Sequence, residues 1–283
     1  MAGAIESCEA ALAATRQRGD RAGESVAVCN LMAAELLAGR WQDAERIGTE
    51  ALEDDPKRPE VELVHHQLGV LAVYRGDLEA ARLSLERWSG QQDSDDIETR
   101  QYLTGLGGLI ALAEGELERA LELLALSARE GLESQGASSE GTRLAWPDAV
   151  GAALALGRLD DARQLVLLLA DRPRGLVPPL LRAELSRAQA RLAAARGEQD
   201  GVEVSFRAAI DGLAALGYPY WLARAQSDLA AWLIERGRSE EAAALLDVAV
   251  ATFEQLGAEP ALARARRLIA PATDPADELS ATA

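Results

Sequence analysis

The chain has 283 residues and a formal net charge of −17 at pH 7, and Lys57 is the one lysine among its 29 basic residues. Phosphate backbones repel so acidic a chain, which argues against nucleic-acid binding. Apolar residues make up 48% of the chain and aromatic residues only 4%, a balance that favours a helical core over a sheet.

The sequence also bears on where the protein works. We expect neither a secretion signal nor a membrane span, because the apolar stretches are short and interrupted by charged residues. Cys8 and Cys29 are its only cysteines, too few for a disulfide framework. We therefore expect a cytoplasmic protein that does not bind membranes.

In chain order, the sequence predicts one helix, six helical hairpins and a closing helix. Residues 1–22 form either a leading partial repeat or a cap helix. The hairpins fill residues 25–257, at about 25–57, 60–90, 99–131, 143–171, 179–215 and 220–257. The closing helix covers 259–269, and the small, polar, proline-broken residues 271–283 predict a disordered tail. Residues 1–270 would then be one elongated array of thirteen or fourteen helices.

A glycine recurs about every 40 residues, a period typical of stacked helical hairpins. The glycines are Gly39, Gly76, Gly115, Gly157, Gly197 and Gly237. Five positions after each glycine stands a small residue: Ala44, Ala81, Ala120, Ala162, Val202 and Ala242. We interpret the glycine as the end of a hairpin's first helix and the small residue as a point where the second helix approaches closely.

This interpretation makes local predictions. Gly76 and Gly115 should have positive φ at helix C-termini, a conformation that glycine adopts without steric penalty. Ala81 and Ala120 should be buried between the helices of their hairpins. Pro147 should lie in the first turn of a helix that begins near residue 143, where a missing amide donor is tolerated.

Two segments resemble tetratricopeptide repeats. One is Leu-Ala-Gly-Arg-Trp-Gln-Asp-Ala at residues 37–44, followed by Ala51 and Pro56, and the other runs from Gln67 through Gly76 to Ala81. The resemblance covers about residues 25–257 and weakens in the fifth and sixth units. It implies an all-α fold, a right-handed superhelical solenoid of antiparallel helical hairpins.

The last repeat extends the resemblance. Its segments Tyr-Pro-Tyr-Trp-Leu-Ala-Arg at 218–224 and Phe-Glu-Gln-Leu-Gly at 253–257 are similar to the C-terminal helical arrays of certain bacterial regulators. These are large regulatory ATPases, nucleotide cyclases and transcriptional activators of the maltose-regulator type. In such relatives the array senses an inducer or a partner, while other domains do chemistry or bind DNA.

Motifs for catalysis or metal binding are not found. The sequence has no phosphate-binding loop ending in Lys-Ser or Lys-Thr and no basic helix-turn-helix. His65 and His66 are adjacent, so on a helix they point about 100° apart and cannot chelate one ion together. The carboxylate runs at 50–55 and 93–96 do not fit a calcium loop. We expect no catalytic residue, no metal site and no cofactor, and we expect that the chain is not an enzyme.

Candidate ligand-binding residues follow from the resemblance, which places the first helix of each hairpin on the concave face. The inward positions are Asn30, His66, Tyr102, Asp148, Arg187, Arg191, Arg224 and Asp228. Their amides and guanidinium groups could hold a peptide backbone or a carboxylate. The alternative is that they are ordinary solvated positions and that the arginines pair with carboxylates of neighbouring helices.

A cluster of aromatic residues, Tyr218, Tyr220 and Trp221, is the other candidate site. It either contacts a ligand or anchors the start of a helix.

The sequence leaves two functions open. The first is a non-catalytic scaffold that binds a protein or peptide partner in the superhelical groove. The second is a sensor array for a small molecule, such as an anionic inducer, that is detached from a larger ATPase or transcriptional regulator.

Overall fold

The computed structural model of the protein describes residues 2–55, 61–87 and 94–269. Within these ranges the chain forms fourteen α-helices and one short 3-10 helix, at Arg174–Leu176, and no strand. The first seven α-helices are α1 Ala2–Arg18, α2 Arg21–Leu37, α3 Trp41–Asp54, α4 Val61–Arg75, α5 Leu78–Glu86, α6 Ile97–Ala113 and α7 Leu117–Ser134. The others are α8 Glu140–Ala155, α9 Leu159–Ala170, α10 Pro179–Ala195, α11 Val202–Leu216, α12 Pro219–Ile234, α13 Ser239–Leu256 and α14 Glu259–Ile269.

The all-helical prediction is confirmed, and consecutive helices pack against each other along the chain. Each predicted hairpin corresponds to a consecutive pair, from α2 with α3 to α12 with α13. Helix α1 precedes these pairs and α14 follows them. The predicted tail at 271–283 and Pro56 lie outside the described residues.

The glycines at the ends of the first helices behave as predicted. All six anchor glycines have positive φ, including Gly76 at 86° and Gly115 at 83°. After α6 the backbone N–H of Glu116 donates to the carbonyl of Ala111 at 2.9 Å, which satisfies an otherwise unpaired carbonyl in the last turn. A Cβ on Gly115 would meet no neighbouring atom within 4 Å, so lack of space does not explain the glycine. Its positive φ, which other residues rarely adopt, favours glycine here.

The close approach between paired helices is also confirmed. Ala81 and Ala120 are completely buried. In α6, a Cβ added to Gly108 would lie 2.7 Å from Cγ of Leu124 on α7. Small residues therefore set the distance between these helices, and leucines of the partner helix fill the space.

The predicted position of Pro147 is wrong. Helix α8 begins at Glu140, because Oγ of Ser139 accepts the backbone N–H of Thr142 at 3.0 Å and caps the helix. Pro147 is therefore in the helix interior, and it cannot donate the hydrogen bond that would normally reach the carbonyl of Arg143.

The two ends of the array meet, which the sequence did not predict. Tyr220 of α12 contacts Trp41 of α3 and Tyr74 of α4, with ring centroids 5.2 and 4.8 Å apart. A Cβ on Gly76 would lie 3.2 Å from Pro260 of α14. An elongated array has contacts only between neighbouring repeats. Here the aromatic contacts join the first and the last helical pairs, and a partly open pocket, which we call the chamber, lies beside them.

Candidate functional site

The chamber is lined mainly by the first helices of the predicted hairpins and by α14. It has a volume of about 340 Å³ and is partly open to solvent. Apolar lining residues include Val73, Leu109, Leu112, Ala113 and Phe253. The polar lining residues are Tyr74, Asp148, Arg187, Arg191, Tyr220, Arg224, Ser227, Asp228 and Arg264. Such apolar walls with a few converging polar groups are typical of small-molecule sites.

Arg187 is the centre of a buried ion-pair network. Its side chain is 3% exposed. Its Nε donates to Oδ2 of Asp228 at 2.7 Å, and its Nη1 donates to Oε2 of Glu184 at 2.9 Å. Burial by itself would raise the pKa of Asp228, but the charges of Arg187 and Arg191 outweigh it and hold that pKa below its ordinary value. Arg187 is thus neutralised by protein carboxylates.

Arg224 of α12 is paired in the same way. Its Nη2 donates to Oδ1 of Asp148 on α8, and the two side chains are largely buried. Its guanidinium carbon lies 5.6 Å from the ring centroid of Tyr220, within the range of a cation–π contact. This pair links α12 to α8 across the chamber. The alternative reading of the arginines, pairing with carboxylates of neighbouring helices, therefore describes Arg187 and Arg224.

Arg191 is different, because it has only a long contact with a carboxylate. Its Nε is 3.5 Å from Oδ2 of Asp228, the oxygen that Arg187 already engages. Its guanidinium lies against Gly151, where an added Cβ would be 3.5 Å from Nη1. Burial, together with the charge of Arg187, lowers the pKa of Arg191 despite the opposing charge of Asp228. Its charge is therefore only partly compensated.

Further donors of the chamber are without partners among the described residues. Arg264 of α14 is exposed and makes no ion pair there. The hydroxyls of Tyr74 and Tyr220 make no hydrogen bond to a described residue. Burial raises the pKa of both tyrosines, so both hydroxyls stay protonated and can donate. The chamber thus presents positive charge and free donors in a protein of net charge −17.

The chamber brings together six of the eleven candidate residues, Asp148, Arg187, Arg191, Tyr220, Arg224 and Asp228. The other five do not line it.

Three of them are on helices that precede α8. Asn30 is exposed on α2 and does not line the chamber. His66 and Tyr102 are buried against each other with ring centroids 4.6 Å apart, and the hydroxyl of Tyr102 donates to Oε1 of Glu98 at 2.7 Å. Both rings are part of the packing between α4 and α6.

Tyr218 and Trp221 are at the start of α12. Tyr218 is the N-cap residue, half-buried, and its ring meets the edge of Trp221 with centroids 6.2 Å apart. Trp221 is 2% exposed and packs against Tyr74 and Tyr220. These contacts correspond to the helix-anchor interpretation of the cluster.

Sequence reasoning missed Tyr74, Gly151, Phe253 and Arg264 as lining residues. Tyr74 is two residues before the anchor Gly76, so the repeat register could have placed it on the inner face. Arg264 could not be found in this way, because it lies on α14, which follows the repeated pairs and packs against α13, α12 and α4.

A second depression, of about 580 Å³, lies between α7 and α9. It is bordered by exposed charged side chains such as Glu118, Glu122 and Arg129, and by Leu126, which is 44% exposed. Although it is larger than the chamber, it has no buried ionisable side chain among its lining residues. The chamber is therefore the stronger candidate for a small-molecule site.

The described residues form neither a metal-binding cluster nor a membrane-spanning helix. Across residues 2–55, 61–87 and 94–269, no three His, Cys, Asp or Glu side chains are grouped so that they could hold a metal ion. In the same part of the chain, none of the helices has the length and apolar character needed to cross a membrane.

Comparisons with known proteins address the fold. No protein-family model matches the chain, and no curated protein matches it. Among solved structures, the crystal structure of BtubC (BKLC) from P. vanneervenii is similar, with a TM-score of 0.52 and 14% sequence identity. The match covers 75% of this chain and 91% of that chain. At this identity the likeness concerns the fold alone, an all-α array of consecutively packed helices.

Proposed function

We propose that the chain is a non-catalytic regulatory module that binds a small molecule in the chamber. We further propose that its helices form a tetratricopeptide-like, right-handed superhelix whose ends have closed on each other. The observation that carries the functional proposal is a set of donors that line the chamber with few or no protein partners: Arg191, which has one long carboxylate contact, Arg264 and the two tyrosine hydroxyls. A few polar groups that converge on a partly apolar pocket are typical of small-molecule sites, so these donors favour a ligand that pairs with them.

The closure of the array favours a small molecule over an extended peptide. A volume of about 340 Å³ is near the lower end of the 300–1,000 Å³ that is typical of small-molecule pockets. Tyr220, packed against Trp41 and Tyr74, occupies the path that a peptide would follow along an open groove. Of the two functions considered from the sequence, the sensor array is therefore the better supported.

A binding role is favoured over an enzymatic one by the chemistry of the lining. Arginine, aspartate and tyrosine side chains make up most of its polar part, and Ser227 donates its hydroxyl to the carbonyl of Ala223 at 2.9 Å. No histidine lines the chamber to serve as a base for that hydroxyl. We also propose a cytoplasmic location, because Cys8 and Cys29 are free thiols, as expected in a reducing compartment.

A protein partner is a second candidate, and the depression between α7 and α9 supports it. Leu126 is an exposed apolar side chain on this surface, and charged side chains such as Glu122 and Arg129 also line it. A polar rim around an apolar centre is typical of protein interfaces. The substitution Leu126→Asp should abolish capture of such a partner, whereas a substitution inside the chamber should not affect it.

The main proposal is tested by filling the chamber. Gly151→Phe places a ring in the chamber next to Arg191, and Ala208→Phe adds the same ring at an exposed position of α11 as a control. Each protein is equilibrated with a bacterial metabolite extract, and retained molecules are measured by native mass spectrometry. We expect the unmodified chain and Ala208→Phe to retain a small molecule that Gly151→Phe does not. No retained molecule, or equal retention by all three proteins, would refute the proposal.

A further inference from the structure

The arginines and most of the apolar lining of the chamber come from different helices. The arginines are on α10, α12 and α14, whereas most of the apolar wall is contributed by α4 and α6, together with Phe253 of α13. A ligand that satisfies both parts has a charged or strongly polar end and an apolar body. This inference rests on the proposed function, since it concerns the ligand of the same chamber.

The charges on the lining indicate the sign of the polar end. Four arginines and two aspartates line the chamber, and Glu184 neutralises Arg187 from behind. Asp148 is engaged by Arg224, and Asp228 is shared by Arg187 and Arg191. One unit of positive charge therefore remains on Arg191 and Arg264 together. Arg191 is half-buried with a single carboxylate contact of 3.5 Å, and Arg264 is exposed without an ion pair to a described residue, so a bound anion would pair with both guanidinium groups.

The geometry of the free donors indicates the kind of anion. Arg191 has its Nη atoms beside Gly151, where there is no side chain to block their access to the chamber. A guanidinium presents parallel N–H donors that match the two oxygens of a carboxylate. The single negative charge of a carboxylate would neutralise the surplus positive charge, whereas a phosphate dianion would make the net charge of the occupied chamber negative.

From these observations we propose that the chamber binds a small carboxylic acid with an apolar body, held through its carboxylate by Arg191 and Arg264. The apolar body lies against Leu109, Leu112 and Phe253. The hydroxyls of Tyr74 and Tyr220 donate to the carboxylate or to a neighbouring oxygen of the ligand.

The test compares three probes that share one apolar body. 3-Phenylpropionate is the carboxylate, 3-phenylpropanamide is its neutral analogue, and 2-phenylethyl phosphate is the phosphate analogue. Each is titrated into the full chain by isothermal calorimetry. We expect the carboxylate to bind at least about tenfold more tightly than either analogue, because only the carboxylate neutralises the surplus charge without exceeding it.

Substitutions of Arg264 and Arg191 test whether these two residues bind the carboxylate of the ligand. Arg264→Gln should weaken binding of 3-phenylpropionate at least about fivefold without a change in folding, because Arg264 is exposed and has no ion pair among the described residues. Arg267→Gln, an exposed position of the same helix that does not line the chamber, is the matched control and should bind normally. Arg191→Gln should remove the preference for the carboxylate over the amide.

Several results would overturn the carboxylate inference. They are equal binding of the amide, tighter binding of the phosphate ester, equal effects of Arg264→Gln and Arg267→Gln, and no binding of 3-phenylpropionate at about 1 mM. The mass-spectrometry comparison of the unmodified chain with Gly151→Phe tests a different claim, that the chamber binds any small molecule. A failure of the carboxylate class is therefore distinguishable from a failure of the chamber as a ligand site.

Discussion

The ring of Tyr220 lies 5.2 Å from the ring of Trp41, although these residues belong to the last and the first of the repeated units. The contact is supported nearby, where a Cβ on Gly39 would lie 2.5 Å from Cγ of Pro219. An array of repeats that bends until its ends touch has an enclosed inner side. The position of the arginines in a chamber follows from this contact.

The closure should depend strongly on Tyr220. Tyr220→Ala removes ring contacts with Trp41, Tyr74, Trp221 and Phe253, and we expect it to lower the free energy of unfolding by about 3–5 kcal/mol. Tyr220→Phe keeps the ring and should cost less than about 1 kcal/mol, since the hydroxyl has no protein partner among the described residues. Urea unfolding followed by circular dichroism measures both. Similar losses for the two variants would mean that ring packing does not maintain the closure.

The glycine register predicts a smaller effect at Gly115. Gly115→Ala should destabilise by about 1 kcal/mol, because a Cβ is penalised at positive φ even where space is free. Gly3→Ala is the control, since Gly3 is in helix α1, has no positive φ and also has open space around it. There alanine should be neutral or stabilising. A shift of the urea midpoint in the same direction and by the same amount for both variants would contradict the register.

Arg187 should be essential for stability. Arg187→Met keeps an apolar side chain but leaves Glu184 and Asp228 without their main partner, and we expect a loss of about 3–5 kcal/mol. Arg207→Met removes an exposed partner of Glu203 and should cost less than about 1 kcal/mol. Thermal and urea unfolding test the difference. If Arg187→Met is as stable as the control, the buried network contributes little.

The same network predicts a dependence on pH. The pKa of Asp228 is lower in the folded protein than in the unfolded chain, so its contribution to stability is present above the unfolded value of about 3.9 and is lost as the pH falls through the folded value. The unmodified chain should therefore lose more stability below about pH 4 than Asp228→Asn does. Urea unfolding at a series of pH values measures this difference. Parallel curves would show that Asp228 does not titrate differently in the two states.

The helices were predictable because their determinants are local. Glycines such as Gly76 and Gly115 end helices through their own backbone conformation, and a fixed period makes them recognisable. The start of α8 was missed although Ser139 is a strong capping residue, because the polar residues around it also suited a loop. Local signals thus gave the helices with errors of a few residues at their ends.

The chamber was only partly predictable because it depends on long-range contacts. The repeat register placed Arg187, Arg191 and Arg224 on the inner face, but it could not show which carboxylates neutralise them. Arg187 and Arg224 are paired, whereas Arg191 is left with a contact of 3.5 Å. Arg264 joins the site because α14 packs against α13 and α12 and also contacts α4, far away in the sequence. Periodicity carries no information about such a return.

The closure itself is tested most directly by small-angle X-ray scattering of the full chain in solution. A compact chain of this length should have a radius of gyration of about 19–21 Å. We expect a value in this range and a symmetric distribution of interatomic distances. A clearly larger radius, with the skewed distribution of an elongated particle, would show that the ends do not meet and that the chamber is an open groove.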